Sequence, residues 1–149
     1  MTATRRPLRR LRAVRDGTMA VEFALLAVPF LMLSFGIIEF GRLIWTNEAL
    51  QATAAIGARC MGVLASSCAS SGAYSSSNTS TYILSVASGW NVTLPSSALT
   101  LTTSGTCGGV TGFSQVTISY SFQTVVPNLL TSLSAGVPLS VQACFPNQA

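Results

Sequence analysis

The sequence predicts an α+β protein: a long N-terminal helix, transmembrane in its first part, followed by a small antiparallel β-sheet domain with disulfides. Three observations predict it. An apolar stretch at 18–41 follows an arginine-rich head. Apolar and polar residues alternate with period two around 115–123. All four cysteines lie beyond the apolar stretch. The organisation that follows is a basic leader (1–17), a transmembrane helix (18–41), a helical stem (42–64) and a Ser/Thr-rich extracytoplasmic β domain (65–149).

The leader carries Arg5, Arg6, Arg9, Arg10, Arg12 and Arg15 against the single acid Asp16. The net charge of +4 is therefore the property of a short head and not of a surface. A basic head binds nucleic acid in some proteins. Placed directly before an apolar run, it reads instead as a topological signal that keeps the N-terminus cytoplasmic. No nucleic-acid partner is expected.

Residues 23–38, FALLAVPFLMLSFGII, carry no charge. Extended to 18–41, the stretch reaches about 36 Å as a helix, enough for a ~30 Å hydrocarbon core. A cleaved secretory signal is the competing reading, but its apolar part is usually shorter, about 7–15 residues, and ends in a small-x-small cleavage site. Here the helical pattern runs on past Gly41. That continuity favours retention in lipid. Pro29 removes one backbone donor and is expected to kink or locally open the helix. Ser34 and Gly36 are small enough to let another helix approach, or are ordinary membrane-helix composition. Glu22 is the anomaly, because a carboxylate costs about 2.5–3.5 kcal/mol at mid-bilayer and less near an interface. It either sits among head groups or has a partner.

Residues 42–64, RLIWTNEALQATAAIGARCMGVL, continue the helix with weak amphipathicity. Trp45 falls where an interfacial aromatic belt would lie. Beyond it the periodicity changes. Residues 68–82 read as a polar loop, and 82–90 as a short helix or strand. Strand-like alternation is expected at 91–94, 99–103, 115–123 (QVTISYSFQ) and in a last strand at 137–144, with Pro138 at an edge. Gly105, Gly108, Gly109 and Gly112 mark the turn before 115. In 115–123, Val116, Ile118, Tyr120 and Phe122 share one face.

The composition excludes most catalysis. Charged residues make up 8% of the chain, there is no histidine and no lysine, and no charged residue lies between Cys60 and Ala149. A Ser-His-Asp triad, a Ser-Lys pair and a paired-carboxylate site in the distal part cannot be built. No enzymatic activity, cofactor or metal is expected. Cys60, Cys68, Cys107 and Cys144 lack CxxC spacing for zinc and read as two disulfides of an exported domain. Four cysteines allow three connectivities. A hairpin of 99–103 with 115–123, flanked by 137–143, brings Cys144 towards Cys107 and leaves Cys60 with Cys68.

The junction Arg15-Asp16-Gly17-Thr18-Met19-Ala20-Val21-Glu22-Phe23 resembles a type IV prepilin processing site: a basic leader, a glycine, then an apolar helix with glutamate at its fifth position. The longer stretch AVEFALLAVPFLMLSFGIIEFGRLIWTNEALQATAAIGAR resembles the N-terminal segment of TadE-like pseudopilins, minor pilins of the tight-adherence (Flp) pilus system. The shared pattern is the AVEFAL start, the apolar run with proline, the I-E-F-G-R exit and the A-x-x-G-A-R close, over about residues 17–59. The resemblance implies cleavage between Gly17 and Thr18 by a prepilin peptidase, and subunit recognition through Glu22 and Phe23. It implies as partners other pilins or pseudopilins, an inner-membrane assembly platform and membrane lipid. It implies a single-pass protein of the bacterial inner membrane, N-terminus cytoplasmic, acting in pilus assembly and adhesion. Thr18 departs from the Phe or Met common at that position, which bears on N-terminal methylation. The alternative is a single-pass, membrane-anchored extracytoplasmic binding protein with no pilus role.

Overall fold

The computed structural model describes the backbone of residues 7–124 and 136–148, and side chains from residue 17 onward within those ranges. The arginine side chains of the leader lie outside the described residues. The chain is α+β: one long helix, then a short helix and small antiparallel sheets, with two disulfides. It divides into two units, Met1–Phe40 and Gly41–Ala149.

Helix α1 runs Pro7–Gly62. Proline at its first position needs no donor there, and its fixed φ suits a helix start. The helix runs without interruption through Pro29, although Pro29 has no N–H to offer the Leu25 carbonyl. The Ser34 hydroxyl donates to the Phe30 carbonyl at 2.8 Å, so this polar side chain is satisfied within its own helix. In the first unit the apolar side chains point outward on every side: Phe23 is 75% and Leu26 72% exposed. A helix that is apolar all round takes lipid or other helices as its surroundings. α1 is the one described helix long and apolar enough to cross a membrane, and none of its most apolar window is buried within the protein.

The second unit is built on the last part of α1. Ala49, Leu50, Thr53, Ala54, Ala58 and Met61 recur three and four apart and are buried. The Thr53 hydroxyl donates to the Ala49 carbonyl at 2.7 Å, so its burial leaves no orphan. α1 ends in a Schellman arrangement: Ala65 N–H donates to Cys60 O and Leu64 N–H to Met61 O, with Leu64 left-handed at φ 51°.

Strands β1 (Ala69–Ser70) and β2 (Ala73–Tyr74) form a minimal hairpin over Ser71 and Gly72, both at positive φ as a type I′ turn requires. Helix α2 spans Ser76–Gly89, and the Ser75 side chain at its N-cap accepts from Asn78 N–H. The stretch expected to be a polar loop at 68–82 thus holds a hairpin and half a helix. Its serines and threonines lie largely on the solvent side, while Thr79, Ile83 and Ala87, four apart, are buried.

The segment 91–94, expected to be a strand, joins no strand ladder among the described residues. Asn91, left-handed at φ 62°, closes α2. Val92 and Leu94 are nevertheless buried in the core. Their alternation encodes burial and not ladder pairing. After a 3₁₀ turn at Ser96–Ala98, strands β3 (Leu99–Cys107), β4 (Val110–Phe122) and β5 (Val137–Pro146) form an antiparallel sheet in the order β3-β4-β5. Cys107 pairs with Val110, so only Gly108 and Gly109 make the turn. Gly105 and Gly112 lie inside strands, and Gly105 sits at a bulge. There a Cβ would stand 2.6 Å from the Gln115 side-chain oxygen and 3.2 Å from the Gln115 Cβ, so a larger residue would have to displace the Gln115 side chain. Pro138 is on β5, an outer strand, where the ladder tolerates a missing donor. Val116, Ile118 and Phe122 of β4 and Val141 of β5 are buried, with Tyr120 half-buried on the same face.

Candidate functional site

Two groups of residues carry candidate function: the junction at the start of the apolar run, and the cysteines of the second unit.

At the junction, Gly17, Thr18, Glu22 and Phe23 all lie on α1 and are exposed. A Cβ at Gly17 would meet nothing within 4 Å among the described residues. Glycine inside a helix weakens it by about 1 kcal/mol relative to alanine. Thr18 and Glu22 are four residues apart and share a helix face, separated by about 6 Å of rise. A new amine at Thr18 would also be the positive end of the helix dipole. A carboxylate one turn away on that face is the complementary charge, and in a dry environment the attraction between them is strong.

The structure bonds Cys60 to Cys68 and Cys107 to Cys144, with Cα separations of 5.9 and 6.5 Å. Their surroundings differ. Cys60 and Cys68 are buried, while Cys107 is half-buried and Cys144 exposed. The first bridge pins the end of α1 to the β1–β2 hairpin. The Thr79 hydroxyl of α2 lies 2.8 Å from the Ser75 carbonyl and 3.3 Å from the Cys68 carbonyl, tying that loop to the helix. The second bridge joins the two outer strands of the sheet across its central one. Burial raises the Tyr74 pKa above its ordinary 10.0, opposed by the Thr79 side chain within hydrogen-bond reach. Among the described residues no group of three or more His, Cys, Asp or Glu is placed to hold a metal ion.

Three features were not foreseen from the sequence. The first is the close seat of Gly57, where a Cβ would stand 2.7 Å from Ile83 Cδ1. The second is the clasp made by Asn147. Its side-chain oxygen accepts from the buried Ser114 hydroxyl at 2.6 Å, its amide donates to the Thr103 carbonyl at 2.7 Å, and its backbone N–H donates to Gly112 O. Gln148 N–H then reaches the Gly62 carbonyl at 2.9 Å, so the described C-terminal end returns to the end of α1. The third is the contact of Trp45 on α1 with Trp90, edge to face with centroids 6.0 Å apart. The small-residue run ATAAIGA at 52–58 is the signal that marks the first. Nothing local marks the other two.

Residues 17–59 match the family model described as TadE-like protein. Those 43 residues, under a third of the 149, take in the junction, the apolar run and most of the stem. No curated protein and no solved structure matches the chain.

Proposed function

Starting from that TadE-like segment, we propose that the chain is a membrane-anchored minor pilin, or pseudopilin. A prepilin peptidase cuts it between Gly17 and Thr18, and it acts in assembling a tight-adherence pilus. The observation that carries the reading is the match at 17–59, which begins at the very glycine that precedes the apolar helix.

The physical logic is a change of anchorage. Six arginines hold the leader on the cytoplasmic side before cleavage. Once they and Asp16 leave, two arginines and three glutamates remain, a side-chain charge of −1. Glu22 then supplies the counter-charge for the new Thr18 amine of a neighbouring copy. In a lipid-free helical stack, that pair is worth most when both groups are dry and in register. Phe23 and the outward apolar face of α1 supply the packing surface. The second unit, with few charges and no histidine, serves as a structural or contact module.

The test is the intact mass of the protein from native membranes. The expected chain begins at Thr18, and reduction adds two hydrogens for each of two bridges. A G17A or G17V variant is expected to retain residues 1–17. Retention of the leader by the unaltered chain, in cells with an active prepilin peptidase, would overturn the pilin reading and favour the plain membrane-anchored binding protein.

A further inference from the structure

The three-stranded sheet has two outer strands, and their edges differ. β3 is interrupted by a bulge between Thr102 and Gly105, which breaks the line of its edge. β5 pairs with β4 without a slip, from Pro146 opposite Phe113 to Val137 opposite Phe122. Asn147 N–H donates to Gly112 O, which carries that register one residue further. In an antiparallel ladder, hydrogen-bonded pairs alternate with non-bonded ones. The odd-numbered residues of β5 therefore turn their backbone groups to β4, and the even-numbered ones turn theirs away. Gln148 N–H, on the outward set, reaches Gly62 O. Pro138 and Pro146 both fall on the outward set, where the ladder asks for no donor. Between them, the N–H groups of Ser140, Gln142 and Cys144 face away from β4 and meet no acceptor among the described residues. All three residues are exposed. Sheet edges are commonly guarded by lysine or another charge. This edge has no such guard, since no charged residue lies beyond Arg59.

We propose that the outer edge of β5 binds a second copy of this chain, β5 lying antiparallel to its counterpart about a twofold axis at Gln142. The strand is symmetric in the way such an axis asks. Pro138 and Pro146 each stand four residues from Gln142. The axis sets Gln142 opposite Gln142 of the second copy, Ser140 opposite Cys144, and proline opposite proline. Each of the three inner pairs exchanges two N–H···O=C bonds. The prolines, which have no donor, come together at the two ends and close the ladder there. Two three-stranded sheets so become one continuous sheet. On its core side, Leu139 stands opposite Phe145 of the second copy, and Val141 opposite Ala143. Leu139, Ala143 and Phe145 are only partly buried in one copy, and each gains an apolar cross-strand neighbour. The contact is isologous, so a charge at the axis would face its like. The neutral Gln142 avoids that repulsion. The pairing uses the second unit alone and does not depend on the pilin reading.

The test uses the full chain in detergent micelles, with the protein mass read by light scattering corrected for bound detergent over a range of concentrations. The expected mass at high concentration is that of two chains. Q142K puts two positive charges at the axis from an exposed position, and is expected to halve that mass while tryptophan emission and urea midpoint stay those of the unaltered chain. Q142C tests the register, because hydrogen-bonded residues of an antiparallel pair stand about 5.5 Å apart at Cα, within disulfide reach. Mild oxidation is expected to link Q142C into dimers and to leave S119C, exposed on the central strand, unlinked. A chain that stays monomeric overturns the proposal. A dimer that keeps its mass in Q142K, as association through the apolar run of α1 would give, overturns it too, and so does failure of Q142C to link.

Discussion

Gly57 offers a test of how the second unit packs. A Cβ there would stand 2.7 Å from Ile83 Cδ1, 2.8 Å from Ile83 Cγ1 and 3.4 Å from Val116 Cγ2. The first distance falls short of ordinary contact at 3.4 Å by 0.7 Å. Ile83 is fully buried and cannot swing away. Overpacking of this kind costs about 1–3 kcal/mol. Gly→Ala in a helix interior returns about 1 kcal/mol of propensity. G57A alone is therefore expected to range from neutral to a loss of about 2 kcal/mol, which does not discriminate. The double-mutant cycle does. I83A alone opens a cavity and costs about 2–5 kcal/mol. In that background the new Cβ meets no clash and fills part of the space, so G57A becomes stabilising by about 1 kcal/mol or more. The expected coupling is about 1–3 kcal/mol in favour of the double variant. Urea unfolding of the full chain in detergent, followed by tryptophan emission and circular dichroism, measures it. An effect of G57A that is equal in the two backgrounds within about 0.5 kcal/mol would refute the contact.

Four further outcomes follow from the same structure. N147A strands the buried Ser114 hydroxyl and is expected to cost about 1–3 kcal/mol, read by urea midpoint, whereas N147D keeps the acceptor and costs less. L64G relieves a left-handed leucine that is 42% exposed, and should gain about 1 kcal/mol, seen as a raised Tm. C107A/C144A opens a 37-residue separation, and loop-closure entropy puts the loss at about 4 kcal/mol; mild reductant on the folded chain should open this exposed bridge before the buried Cys60–Cys68, as mapped by thiol alkylation and peptide mass. Tyr74 holds its proton more tightly folded than unfolded, so its contribution is present below pH ~10 and is lost as pH rises through the raised folded value; Y74F should flatten that alkaline loss in a pH series of urea midpoints.

Where the sequence carries a long, uniform signal, the fold is legible in it. The helix through 18–62 and the β4 face Val116, Ile118, Phe122 are periodic over many residues, and both are present. Strand order also carries the cysteine argument, because β4 alone separates the two outer strands and Cys144 of β5 bonds Cys107 at the end of β3. Short polar segments carry less. In 76–89 the serines and threonines mask a helix whose buried positions are only Thr79, Ile83 and Ala87. At 91–94, alternation reports which side chains are buried, and the backbone is free to leave the ladder. Glycine clusters likewise do not separate a turn, where Gly108 and Gly109 take positive φ, from a strand interior, where Gly105 sits at a bulge. The junction at Gly17 was visible as spacing. The Asn147 clasp was not, since its partners Thr103 and Ser114 are 44 and 33 residues away.

The connectivity of the bridges bears on biogenesis. In chain order the cysteines pair first with second and third with fourth. A polypeptide emerging N-terminus first therefore presents each cysteine's native mate as the very next one. An oxidase that joins thiols in order of appearance reaches the native arrangement directly, without the seconds-to-hours reshuffling that crossed bridges require. The second pair can close only when the last strand has arrived, so oxidation of Cys144 marks completion of the sheet.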